Sequence, residues 1–264
     1  MHLDPPETSS LSDLLPMVGH SRRQPRAGSS CSSSRHADVL NLLWVSGVLC
    51  IGAAGIAARW WGRRSDALGC PRSFPLFSVA ALVLLGGAAL APWLLRARLE
   101  HRLAGAASTI VGSSVDVHCQ TAGETFTDAG ADLGYVAFGP DGVPERRTTI
   151  KWEQCRALAS FTRSEGIGSS RDQMIAVHVL THEAMHMSGV RSEAESQCRA
   201  MQRDTRMARL LGAAPSDARN LASWYWQTIY PHMSPAYRSD DCGPGQALDA
   251  GIPDPPWGTA ERPS

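Results

Sequence analysis

Lysine is all but missing from this 264-residue chain, where Lys151 stands alone beside 24 arginines. We read the imbalance as a preference for arginine codons and not as phosphate recognition. Net positive charge is also missing from the larger part of the chain. Residues 104–264 carry 14 basic against 19 acidic side chains, whereas residues 1–103 carry 11 Arg against 6 acids. A nucleic-acid surface needs a clustered positive field to displace counterions, so no nucleic-acid partner is expected. No Cys-x-x-Cys spacing occurs, which excludes a zinc ribbon. There is no internal repeat. Charge is absent altogether from residues 39–58 and 73–95.

Those two charge-free runs organise the first third. Twenty helical residues rise about 30 Å, one hydrocarbon thickness, so residues 39–58 and 74–95 are expected to be transmembrane helices. Residues 1–38, rich in Ser, Pro and Arg, have too little apolar surface to offset the entropy of ordering and read as a disordered tail. The first apolar run starts too late, and runs too long, for a cleaved signal peptide. Residues 59–73 form a short basic loop with Arg59, Arg63, Arg64 and Arg72. A plain count of arginines puts both termini inside the cell. The four loop arginines, however, crowd directly against both spans, which favours the loop inside and the following domain outside. Cys119, Cys155, Cys198 and Cys242 all fall in that domain; two disulfides would suit an extracytoplasmic place, and buried free thiols are the alternative.

From residue 104 to 242 the pattern is α+β: a compact, mainly helical domain with a small hairpin or sheet. Val115–Cys119 and Leu133–Phe138 alternate as strands do, and Gly139-Pro140-Asp141-Gly142 is a turn after which Arg146–Trp152 returns as a strand. Helical spacing follows over Glu153–Arg163. A second helix, capped by Ser170 or Asp172, runs to Met187 and stops at Gly189. A third starts near Ser192 and closes at Gly212, and a last one runs from Pro215 to Ile229. Residues 243–264, crowded with Pro and Gly, read as an irregular tail.

The second helix carries chemistry. His182 and His186 lie four apart, so both imidazoles leave one face about one turn apart and can close on one metal ion. Glu183 is rotated about 100° from His182, beside the metal's water but not a ligand, which suits a general base. His178, one turn earlier, cannot join the same tetrahedral ion on a straight helix and belongs behind the ligands or in the core.

The stretch His182-Glu183-Ala184-Met185-His186 resembles the HExxH signature of the zincin metallopeptidases. The resemblance covers roughly residues 173–202 and implies zinc as cofactor, peptide-bond hydrolysis and a third protein ligand. In the metzincin pattern Gly189 fits, but Ser192 stands where a His ligand would be. Glu193-Ala194-Glu195-Ser196-Gln197 is instead similar to the minigluzincin arrangement. It implies Glu193 as third ligand, with Glu195 as rival and Gln197 where Asn or Asp is usual. The link from His186 to Glu193 is short for that group. Tyr or His commonly stabilises the oxyanion in zincins, and Tyr237 and His232, with Tyr135 and Tyr225, are the candidates. The hairpin offers an edge strand to an extended substrate. The chain also looks like uncharacterised membrane-linked proteins bearing this motif.

The expectation is therefore a membrane-anchored zinc metallopeptidase, multi-pass, acting on protein or peptide near the bilayer. The alternative is a zinc-stabilised binding or sensing domain of the cell envelope without catalysis. A third reading is an envelope interaction protein without metal. Retention of Glu183 favours the first, since a purely structural zinc site needs no base.

Overall fold

Both apolar runs form long helices in the computed structural model, which describes residues 31–63, 73–128, 130 and 132–258. α1 spans Cys31–Trp61 and α2 spans Leu76–Val111. Each is long and apolar enough to cross a membrane. Their apolar side chains face outward, Ile51 being 71% and Leu84 73% exposed, which is the reverse of a buried helix in a soluble core.

Two boundaries differ markedly from expectation. α1 starts at Cys31, inside the segment read as a tail; the rest of that tail, residues 1–30, lies outside the described residues. Once a helix is nucleated each added residue gains a hydrogen bond, so Ser32 to Ala37, with no Gly or Pro among them, can join it. α2 passes through Pro92 and continues well beyond residue 95, because Leu94 to Ala107 is rich in strong helix formers. Of the basic loop, residues 64–72 lie outside the described residues.

The chain divides into two compact units, one ending at Arg98 and the other beginning at Leu99. In the first, α1 and α2 approach closely through small residues. Ser46 Oγ donates to the Gly86 carbonyl at 3.2 Å, and a Cβ at Gly86 would meet Cys50 Sγ at 3.5 Å.

In the second unit the end of α2 contributes Leu103, Ala106 and Ala107 to the core. A three-stranded sheet has the order β1-β3-β2, with β1 at Asp116–Cys119, β2 at Gly134–Phe138 and β3 at Pro144–Ile150. β2 and β3 form the expected antiparallel hairpin, while β1 pairs with β3 in parallel. The helices are α3 (Ala122–Thr127), α4 (Trp152–Ser164), α5 (Arg171–Met187), α6 (Glu193–Leu210) and α7 (Pro215–Trp224). α3 escaped the sequence reading, although Thr121 and Glu124 spell a capping box, and both of its bonds are made. The last expected helix divides at Trp224, where a π-turn takes Tyr225–Ile229.

α5 sets the site. It packs against α4, α6, β2 and β3, and every residue from Ala176 to Met187 is buried. Of the two cap candidates Ser170 takes the role, accepting from the Gln173 backbone while Gln173 reaches back. Gly189, at φ +105°, ends the helix, with the Val190 N–H on the Met185 carbonyl. That is a turn a residue with a Cβ adopts only under strain. The chain reverses there and α6 begins at once, capped by Ser192.

The four cysteines of the domain pair as Cys119–Cys155, joining β1 to α4, and Cys198–Cys242, joining α6 to the segment after the last turns. Described residues beyond Gly243 form only turns and bends. They are nonetheless anchored: Gln202 Nε2 donates to the Leu248 carbonyl, and Gln202 Oε1 accepts from the Ala250 N–H.

Candidate metal centre

Three side chains from α5 and α6 converge on one point. His182 Nε2 lies 3.0 Å from His186 Nε2 and 3.1 Å from Glu193 Oε2; His186 Nε2 lies 3.4 Å from the same oxygen. Ligand atoms about 2.0–2.1 Å from a tetrahedral ion stand about 3.3 Å from each other. The observed triangle has those edges, so the His182, His186 and Glu193 group could hold a metal ion.

The donor chemistry fits as well. His186 Nδ1 donates to the Val190 carbonyl at 2.8 Å, with Ser196 Oγ at 3.3 Å. A neutral ring so bonded keeps its Nε2 lone pair for the cluster, the usual way a ligating imidazole is oriented. The helix stop at Gly189 creates this bond, because the reversal brings the Val190 carbonyl back under His186.

Glu195, the rival third ligand, is engaged elsewhere, in a pair with Arg199 at 2.8 Å. Position decides between the two: Glu193 is the first residue of α6, next to the turn, whereas Glu195 lies two residues, about 200°, further around.

Burial and charge divide the four groups. His182 is pushed down to about 4 by burial, against the pull of Glu193. Burial acts to raise Glu193, but hydrogen bonds and charge from the two imidazoles outweigh it and hold the carboxyl at about 2. Burial also acts to lower His186, and is outweighed by Glu193 and Glu183, so this ring is the one raised. Glu183 goes from the ordinary 4.5 up to about 8, through burial first, with Glu193 and Asp132 adding to the rise against His186.

Glu183 lies under the sheet. A Cβ at Gly134 would sit 3.2 Å from Glu183 Cγ and 2.9 Å from Ile150 Cδ1, so only glycine lets the β2 backbone pass this close. At the other end of the strand the Phe138 ring meets His186 edge-on, 6.1 Å between centroids. β2 therefore runs alongside the cluster as an outer strand, with β3 as its only sheet neighbour among the described residues.

The remaining candidates separate clearly. Tyr237 is buried, its ring 6.2 Å from that of His182. Its hydroxyl is hydrogen-bonded to Glu193, and burial, followed by the carboxylates of Glu193, Asp132 and Glu183, pushes its pKa well up. His232 is not brought to the cluster. It is exposed, with Nδ1 3.0 Å from the Thr228 carbonyl, because the short turns at 230–232 and 235–237 carry Tyr237 inward and leave His232 outside. Tyr225 is fully buried and stacks on His178, with Gln197 Nε2 donating to its hydroxyl. Tyr135 lies on β2 opposite Thr149. Sequence reasoning missed Asp132, which acts on both Glu183 and Tyr237, and Asp204, which binds His178. No local pattern marks either one.

No family model, no curated protein and no solved structure matches the chain.

Proposed function

We propose that this protein is a membrane-anchored zinc peptidase of the zincin type. The observation that carries the reading is the convergence of His182, His186 and Glu193, with a buried, unliganded Glu183 one residue from the first imidazole. A purely structural site would have no use for that carboxyl group.

Zinc held there would supply positive charge that lowers the pKa of water and of Glu183 and polarises a carbonyl. Glu183 would take a proton from that water as its oxygen bonds to the carbonyl carbon, and return the proton to the amine nitrogen as the C–N bond breaks. An extended peptide pairs with the outer edge of β2, which sets its backbone along the cluster between Glu183 and His186. Tyr237, kept protonated by its surroundings, turns its single O–H from Glu193 to the oxygen on which charge develops.

Anchoring through α1 and α2 makes the protein multi-pass. Two disulfides support an extracytoplasmic catalytic domain, since such bonds persist in oxidising compartments. Substrates are then proteins or peptides near the membrane surface.

The test uses the full-length protein in detergent, loaded with zinc and offered a quenched-fluorescence peptide library. Wild type is expected to cleave, and Glu183→Gln to keep its zinc and lose turnover. Less than one zinc per chain under metal-replete conditions, or cleavage that survives Glu183→Gln, rejects the reading.

A further inference from the structure

Behind the ligands lies a buried polar pair that the proposed chemistry does not use. His178 precedes His182 by one turn of α5, and its Nδ1 meets Asp204 Oδ2 on α6 at 2.7 Å. Both side chains are shut away from solvent, at 2% and 0% exposed. The imidazole stacks on Tyr225 with 3.7 Å between ring centroids. An Nδ1–H donating to a carboxylate leaves Nε2 of the neutral ring as an acceptor.

That Nε2 is buried and has no hydrogen-bond partner, and the same holds for Glu183 Oε2. His178 and Glu183 line one small, partly open cavity of ≈ 20 Å³, whose walls also include His182, Gln197, Tyr225 and Tyr237. The Gln197 and Tyr225 groups already bond to each other at 3.2 Å. With zinc bound and Glu183 ionised, both atoms would be acceptors, and the space their residues line is large enough for one water molecule that donates to both.

We propose that the cavity binds one ordered water, which donates to His178 Nε2 and to Glu183 Oε2, and that His178 is thereby a positioning residue for Glu183. Asp204 fixes the tautomer that makes the water spend both its hydrogens. With Oε2 tethered from behind, Oε1 is the oxygen that works on the cluster side. The water site stands on the cavity alone; the positioning role rests on the peptidase reading. A competing role for His178 is a plain pin between α5 and α6 through Asp204, and the two roles respond differently to substitution.

Crystallography of the full-length, zinc-loaded protein is expected to show one water within hydrogen-bond distance of both His178 Nε2 and Glu183 Oε2. A map that resolves other buried waters but leaves this position without density overturns the proposal. Substitution separates anchor from pin, because Asn at position 178 keeps a donor near the place of Nδ1 and loses Nε2, whereas Gln reaches towards the place of Nε2. For His178→Asn, kcat on the peptide library should fall about tenfold at unchanged KM and zinc content. His178→Gln should stay within about threefold of wild type. Equal kcat in the two variants, or losses that follow zinc content, overturn the positioning role. Wild type that holds zinc and cleaves nothing rejects the peptidase reading, and the water density then decides the site by itself.

Discussion

His186 Nδ1 and the Val190 carbonyl oxygen are 2.8 Å apart, and this one bond aims the other ring nitrogen at Glu193. It exists because the helix stops at Gly189. Local backbone geometry thus reaches the chemistry through a single donor and acceptor.

Metal affinity should rise with pH. Glu193 is held ionised and His182 neutral, so among the three ligands the proton a cation must displace is the one on His186, whose pKa is raised. Zinc affinity, measured by chelator competition, is expected to climb by at least about tenfold per pH unit while that ring is protonated, and to go on rising until Glu183, whose pKa the cation also lowers, has ionised. Affinity independent of pH between about 5 and 8 would contradict this assignment.

The two glutamates at the start of α6 should part company on substitution. Glu193→Gln removes a ligand and is expected to abolish stoichiometric zinc. Glu195→Gln breaks only a half-exposed pair with Arg199 and should leave metal content intact, at a cost of about 0–1 kcal/mol in stability. Metal analysis and thermal melting of the two variants report both quantities.

Glu183 makes the metal-free protein sensitive to alkali. Its folded pKa of about 8 exceeds the ordinary 4.5. The associated stability is therefore complete below 4.5 and lost as pH rises towards 8, by at most about 1.4 kcal/mol for each pH unit crossed. Glu183→Gln has no such loss. Without metal, the variant is expected to melt close to wild type near pH 5 and at a higher temperature near pH 8.

Gly134→Val should damage the centre from the sheet side. The new side chain collides with Ile150 and Glu183, both buried, at a cost of about 1–3 kcal/mol for overpacking. Thermal melting measures the cost. Turnover should fall further than stability alone explains, because Glu183 is displaced.

Removing the Cys198–Cys242 bond, which closes a span of 44 residues, should lower stability by about 2–4 kcal/mol. Tyr237 lies five residues before Cys242, so the Cys198→Ser, Cys242→Ser protein is expected to lose turnover before it loses zinc. Reductant should reproduce both effects in wild type.

Much of this centre is local and could be read one turn at a time. The spacing of His182 and His186, the neighbouring Glu183, the stop at Gly189 and the start of α6 at Ser192 all follow from a 3.6-residue period and the chemistry of helix ends. The hairpin follows from a two-residue alternation and a Gly-Pro-Asp-Gly turn, and the two long helices from stretches without charge. Other features depend on groups far apart in the chain. The choice of Tyr237 over His232, the cysteine pairs, the parallel pairing of β1 and the bond from His178 to Asp204 were decided by packing. Each joins elements whose separation no short period encodes, and only burial against a shared core brought the right partners together while turning the others towards solvent.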